Sequence, residues 1–176
     1  GVGFVKVLVP EVIGNSIWQI APEVVVESYL ESSEEDNSIL HKALKKIDLT
    51  LFDSIVIGPG IGIDSLDWEK SIQSLYKYKG ILILDADALN RISRSKTGTQ
   101  FFLKRKYQTW ITPHQIEFKR LFSDCNESNN IELAIKAANQ FNISILLKGA
   151  HSVIADPEGR AWQIYETDDD CARAGL

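Results

Sequence analysis

The chain has 176 residues, with 19 lysines and arginines against 24 aspartates and glutamates, for a formal charge of −5. Hydrophobic residues make up 44% and charged residues 24%, which excludes a disordered tail and a coiled rod. The longest apolar runs, at 4–10, 81–84 and 143–147, fall far short of the ~20 residues of a membrane span.

A mildly acidic chain without a basic block argues against a nucleic-acid partner. Two cysteines, Cys125 and Cys171, are too few for a disulfide framework, and no CxxC or Cys/His spacing points to zinc. A reducing cytoplasm is the expected compartment. There is no methionine, the chain opens Gly1-Val2-Gly3-Phe4 and it closes Ala174-Gly175-Leu176. With no signal-peptide pattern, these are the ends expected of a piece cut from a longer chain. Its length suits a single domain.

In chain order, strands are expected over 3–9 and 23–26, followed by an acidic, serine-rich loop over 28–38. Asn37 or Ser38 caps a helix over 39–47, where Leu40, Ala43, Leu44 and Ile47 recur at the helical period. A strand over 53–57 ends in Gly58-Pro59-Gly60-Ile61-Gly62. Ser65 caps a helix over 66–78, with Leu66, Ile72, Leu75 and Tyr76 inward and Gly80 as its stop. Residues 81–84 carry no polar side chain and read as a strand buried on both faces. Asp85-Ala86-Asp87-Ala88-Leu89-Asn90 leads into a short helix, and 98–106 is helical. A strand over 109–112 exits at Pro113 into a helix over 114–122, and a polar loop fills 123–130. A helix over 131–141 precedes a strand over 144–147, ended by Lys148-Gly149. Strands over 153–155 and 161–165 flank the turn Asp156-Pro157-Glu158-Gly159.

Strand–helix alternation predicts an α/β layered fold with a largely parallel sheet, and the last hairpin adds an antiparallel edge. Trp18, Trp68, Trp110 and Trp162 are expected to pack inside. Glu31, Glu34, Glu35 and Asp36, and likewise Asp168, Asp169 and Asp170, read as solvated charge.

Ligands of parallel sheets sit at the carboxyl ends of the strands. Four such ends carry unusual residues. The loop from Gly58 to Gly62 holds three glycines in five residues. It either lets a backbone approach a phosphate or amide, or is an ordinary tight turn. Asp85 and Asp87 could orient a hydrated Mg2+ or cap a helix. His114 and Glu117, three apart, share one face of a first helical turn. They either meet a ligand and a hydrated metal or cap the helix, with Thr112 or His114 as the cap and Glu117 offsetting the dipole. Lys148, followed by Gly149 and Ser152, suits a nucleotide phosphate or is a solvent lysine at a turn, with His151 on the surface.

Taken in order, these ends resemble the ADP/ATP-dependent NAD(P)H-hydrate dehydratases, a carbohydrate-kinase-like family. The matching stretches are DSIVIGPGIG at 53–62, ILDADALN at 83–90, ITPHQIEF at 111–118 and LLKGAHS at 146–152. GVGFVKVLVP at 1–10 is similar to the family's first strand, and ARAGL at 172–176 to the lead-in of its Gly-Asp signature. The resemblance implies one partial ribokinase-like domain over 1–176: a mostly parallel central sheet between helices. It implies repair of hydrated NADH or NADPH with ADP or ATP and Mg2+. The ring hydroxyl is phosphorylated, and phosphate then leaves.

By the same resemblance Gly60 offers a hydrate-binding backbone and His114 contacts the hydrated dinucleotide. Glu117 organises Mg2+ through water. Lys148, Gly149, Ala150, His151, Ser152 and Gly175 hold the nucleotide, and Asp85, Asp87 and Asn90 line the cleft. Two departures stand out. Gln115 and Ile116 replace the proline and glycine of the family's TPHPGE, and Ile116 adds bulk near the phosphates. The family's catalytic aspartate is expected just beyond Leu176, so no catalytic base falls within the chain. Family members are commonly oligomeric and are often fused to an epimerase domain. The alternatives are a hydroxyethylthiazole- or sugar-type kinase of the same superfamily, and a non-catalytic nucleotide-binding remnant.

Overall fold

The structure, a computed structural model, describes residues 3–32, 38–123 and 129–164. Strand β1 (Lys6–Val9) and strand β2 (Val25–Tyr29) pair in parallel as a two-stranded sheet of their own, linked by helix α1 (Glu11–Ile20). The pattern-based reading has no element where α1 lies. That helix starts at Pro10 without a side-chain cap and buries only Gly14. Its Val12 and Ile20 face solvent, so its apolar residues mark no buried stripe. β2 also sits two residues later than expected and runs into the stretch read as loop.

Helix α2 (Leu40–Lys46) begins after Ile39 with no side-chain cap, so Ser38 does not serve as one, and Asn37 lies outside the described residues. A 3-10 turn at Leu49–Leu51, capped by Asp48, leads to strand β3 (Ser54–Ile57). Helix α3 (Ser65–Lys77) is capped by Asp64 rather than Ser65: the Asp64 carboxylate accepts from the N–H groups of Leu66 and Asp67. Leu66, expected inward, points to solvent, while Trp68, Ile72 and Leu75 are buried. Ile72 and Leu75 face inward as expected and Tyr76 packs against the core, so the stripe departs from the expected one at Leu66.

Strand β4 (Ile81–Leu84) leads to helix α4 (Asp87–Arg94), and helix α5 (Gln100–Lys104) leads to strand β5 (Thr109–Ile111). Helix α6 (Gln115–Leu121) and helix α7 (Asn130–Phe141) precede strand β6 (Ser144–Leu147) and the pair β7 (Val153–Ala155) and β8 (Ala161–Gln163). The six-stranded sheet runs β3-β4-β5-β6-β7-β8. The first four strands are parallel and the last two antiparallel, as the alternation and the hairpin turn predict. Leu82 and Leu84 of β4 are fully buried, whereas Ile81 and Ile83 on the other face are half-buried.

Ile111, Ile145, Leu147 and Val153 continue that buried face across the sheet. Against it pack Trp68 and Leu75 of α3, Leu89 and Ile92 of α4, Phe118 of α6 and the alanines of α7. Phe101 lies edge-on to Trp68 at 5.2 Å and stacks on Tyr76 at 5.3 Å. Each such buried side chain contributes about 1.5–3 kcal/mol. Trp68 is the core tryptophan; Trp18 and Trp162, expected inside, are more than half exposed.

Arg105 is buried where α3 ends. Its guanidinium donates to the carbonyls of Leu75, Tyr78 and Gly80, and its Nε to Thr109 Oγ1 at 3.0 Å. Burial pulls its pKa below the usual guanidinium value. Among the described residues, no helix is long and apolar enough to cross a membrane.

Candidate active site

The exits of β3, β4, β5 and β6 meet at one end of the sheet. After β3 the chain enters the glycine loop. Gly58 has φ +150°, and a Cβ built on it would fall 1.8 Å from the Asp85 carbonyl oxygen. The β3 and β4 exits thus touch backbone to backbone, and only glycine fits. Asp85 N–H donates to Ile57 O at 3.0 Å and fixes that approach. Gly60 and Gly62 both have φ +73°, and open space surrounds the Gly60 Cβ position.

Gly62 is held at both ends of its amide. Its N–H donates to Asp87 Oδ2 at 3.0 Å, and its carbonyl accepts from Arg91 Nε at 2.7 Å. The same guanidinium donates to Ile61 O, to Ser38 O at 2.9 Å and to Asp67 Oδ2 at 2.6 Å. Arg91 has no exposed surface and Asp67 has 3%. Asp67 also accepts from the N–H groups of Leu40 and His41 and contacts His41 Nδ1.

Neither Asp85 nor Asp87 caps α4. That position belongs to Ala86, which has φ +46° and makes no side-chain bond. Asp85 instead pairs with Lys148, Oδ1 to Nζ at 2.8 Å. Past β5 and β6 the chains stay together. Lys148 N–H donates to Pro113 O at 2.9 Å, and His114 forms a parallel bridge with Lys148. Asp85, His114 and Lys148 are therefore neighbours.

His114 caps α6 in a reciprocal box. Its Nδ1 accepts from the N–H groups of Ile116 and Glu117, while Glu117 Oε2 accepts from His114 N–H at 2.9 Å. Glu117 Oε1 lies 3.4 Å from His114 Nε2. Glu117 is buried, and half of its carboxylate is committed to the cap. The N–H of Ile116, in the place of the family's glycine, is likewise taken by the cap, and its side chain is exposed. Thr112 takes no part in that cap. Asn90 accepts from Arg120 at 3.0 Å and ties α4 to α6.

Gly149, Ala150 and His151 form an exposed turn, closed by Ser152 Oγ donating to Gly149 O at 3.2 Å. Gly175, Cys125, Cys171, Glu34, Glu35, Asp36, the aspartates at 168–170 and the stretch 172–176 lie outside the described residues. A cleft of about 520 Å³ opens at the other end of the sheet, by Leu49, Phe52, Tyr78 and Gly80, and no expected site residue lines it. Among the described residues no three His, Cys, Asp or Glu side chains cluster as a metal site.

Asp67 and Arg91 escaped the sequence reading. The available signals were the four-residue spacing of Asp87 and Arg91 on one helix and the position of Asp67 beside the core Trp68.

A mostly parallel sheet flanked by helices, with a glycine loop, a lysine and a capping histidine at its carboxyl end, is an α/β fold of the ribokinase-like class. Solved structures agree. Bacillus subtilis YxkO is 24% identical with a TM-score of 0.66, over 93% of this chain and 55% of that one. The ADP/ATP-dependent NAD(P)H-hydrate dehydratase of the same organism, crystallised with ATP and Mg2+, is 22% identical with a TM-score of 0.64, over 96% of this chain and 57% of that one. These likenesses establish the fold.

The chain belongs to the NAD(P)H-hydrate dehydratase family, whose model matches residues 1–176. A bifunctional NAD(P)H-hydrate repair enzyme of Synechocystis is 34% identical over 175 residues, 99% of this chain. The chain spans about a third, 32%, of that relative's length.

Proposed function

We propose that the natural protein restores hydrated NADH and NADPH by ADP- or ATP-dependent dehydration. The observation that carries this reading is the meeting of the glycine loop, His114 and Lys148 at one sheet end, in a chain of this family.

Gly60 presents backbone to the hydrated dinucleotide, and His114 contacts it from the start of α6. Lys148, released from Asp85, meets the nucleotide phosphates, and the turn from Gly149 to Ser152 holds the rest of the nucleotide. The ring hydroxyl takes the terminal phosphoryl group and gives up its proton. The C–O bond then breaks with help from the ring-nitrogen lone pair, phosphate leaves, and loss of a ring proton restores the double bond. Phosphate leaves readily where hydroxide does not.

Mg2+ fits if it arrives with the nucleotide, since it commonly takes one or two carboxylates and otherwise phosphate and water. Asp85, once Lys148 leaves it, and Glu117 Oε1, which faces His114 Nε2 at 3.4 Å, are the carboxylates at hand. When bound it neutralises phosphate charge. That these relatives are bifunctional repair enzymes supports a second, fused domain in the natural protein, which we take to be an epimerase. Oligomerisation and a cytoplasmic setting complete the reading.

The test is to mix the full natural chain with hydrated NADH, Mg2+ and either nucleotide, and to follow the near-ultraviolet absorbance of NADH. Folded protein that makes no NADH with either nucleotide sinks the proposal. A stable phosphate ester on a small alcohol would point to a kinase, and nucleotide binding without turnover to a remnant.

A further inference from the structure

The glycine loop does not hold its own shape. Three of its residues, Gly58, Gly60 and Gly62, have positive φ, and its internal bond is Ile61 N–H to Gly58 O at 3.2 Å. Glycines lose more chain entropy on ordering than any other residue. External contacts must therefore fix the loop.

Those contacts come from beneath. Asp87 and Arg91, one turn apart on α4, grip the N–H and the carbonyl of Gly62, and Arg91 also grips the carbonyl of Ile61. Arg91 is itself fixed by Asp67 of α3 and by Ser38 O ahead of α2. Asp67 in turn holds the first N–H groups of α2. Three helices and the loop thus converge on one guanidinium with no exposed surface.

A buried ion pair is a poor means of gaining stability, because desolvation offsets much of the attraction. Its use here is geometric. A planar fork sets several carbonyls at fixed angles at once, which an ammonium cannot do. With the carbonyls of 61 and 62 drawn inward, Gly60 makes no hydrogen bond among the described residues and stays open to a ligand.

We propose that Asp67 and Arg91 are positioning residues: they set the glycine loop so that the Gly60 backbone is offered to the hydrated dinucleotide. The identity of that ligand rests on the proposed dehydration; the setting of the loop does not.

The test uses Arg91→Lys and Asp67→Asn in the full natural chain, with melting curves to verify folding. Arg91→Lys should raise KM for the hydrated dinucleotide about tenfold, with KM for the nucleotide and kcat within about twofold. Amide exchange at Gly60 and Gly62 should quicken at least about tenfold, while β4 amides keep their rates. Asp67→Asn keeps the shape of the partner and should give the same pattern more weakly. Unchanged loop exchange in a folded variant overturns the proposal, as does an equal rise of both KM values. If Arg91→Lys does not fold, Asp67→Asn decides by the same readouts. If the parent protein makes no NADH, the dehydration reading fails and loop exchange alone judges the positioning role.

Discussion

Lys148 Nζ sits 2.8 Å from Asp85 Oδ1 across a separation of 63 residues, so one lysine joins the exits of β4 and β6. The two side chains are 36% and 26% exposed, and such a pair is worth only about 0–1 kcal/mol. Its value lies in place rather than strength: under the proposed function, the carboxylate parks the ammonium until a phosphate claims it. Lys148→Ala should raise KM for the nucleotide about tenfold, or about 1.4 kcal/mol. KM for the hydrate should stay within about twofold and the melting temperature nearly fixed. Kinetics with each substrate varied in turn decides this, and an equal rise in both constants removes the assignment.

His114 caps α6 and, under the proposed function, contacts the hydrate, and one substitution can separate the two. Asparagine is a good helix cap, so His114→Asn should preserve the start of α6 and hold stability within about 0.5 kcal/mol. It removes the imidazole, so hydrate binding should weaken about tenfold. His114→Ala loses both roles and should also cost about 1 kcal/mol of stability. Denaturant titration and calorimetry with the hydrate test the pair. Full hydrate affinity in His114→Asn would reduce His114 to a cap.

Gly58 and Gly60 share positive φ but differ in surroundings. Gly58→Ala drives a carbon into the Asp85 carbonyl oxygen and should cost about 3 kcal/mol. Gly60→Ala meets nothing and should cost about 1 kcal/mol of backbone strain. Gly60→Ala should instead weaken the hydrate, whose approach it crowds. Unfolding curves of the two variants, measured together, check the contrast.

Glu31 reports on pH. Lys42 and Lys46, bonded at 2.6 and 2.8 Å, hold its carboxyl down to about 2 from an ordinary 4.5. A lowered folded pKa means the stabilisation is present above 4.5 and is lost as pH falls toward about 2. The group is exposed, so salt should screen the lysines and move the midpoint back up. A carbon-detected NMR titration of Glu31 at low and high salt measures both effects. A midpoint near 4.5 at low salt would rule out the two-lysine clasp.

The sequence showed most where chain chemistry is local. β4 and β6 match their expected limits because each is an apolar run closed by polar or glycine residues. The α6 cap was legible from His114 and Glu117 three apart, since a first turn admits few partners. Asp64 displaced Ser65 because both can cap and the choice depends on backbone entry. Glu31 read as solvated charge, and its clasp appears only when α2 folds against it. Arg91 and Arg105 were invisible for a related reason. A charged side chain is normally outside, and the carbonyls that draw these two inward come from residues up to 53 positions away.

The unit of β1, α1 and β2 has a different character from the rest. Between residues 3 and 29 the buried residue is Gly14, and Phe4, Val12, Trp18 and Ile20 lie open. Little apolar surface is withdrawn from water there, so little free energy opposes its opening. Among the described residues, this unit should open most readily in the folded protein. A protease at low dose should cut between α1 and β2 first, leaving the six-stranded sheet and its buried arginines standing.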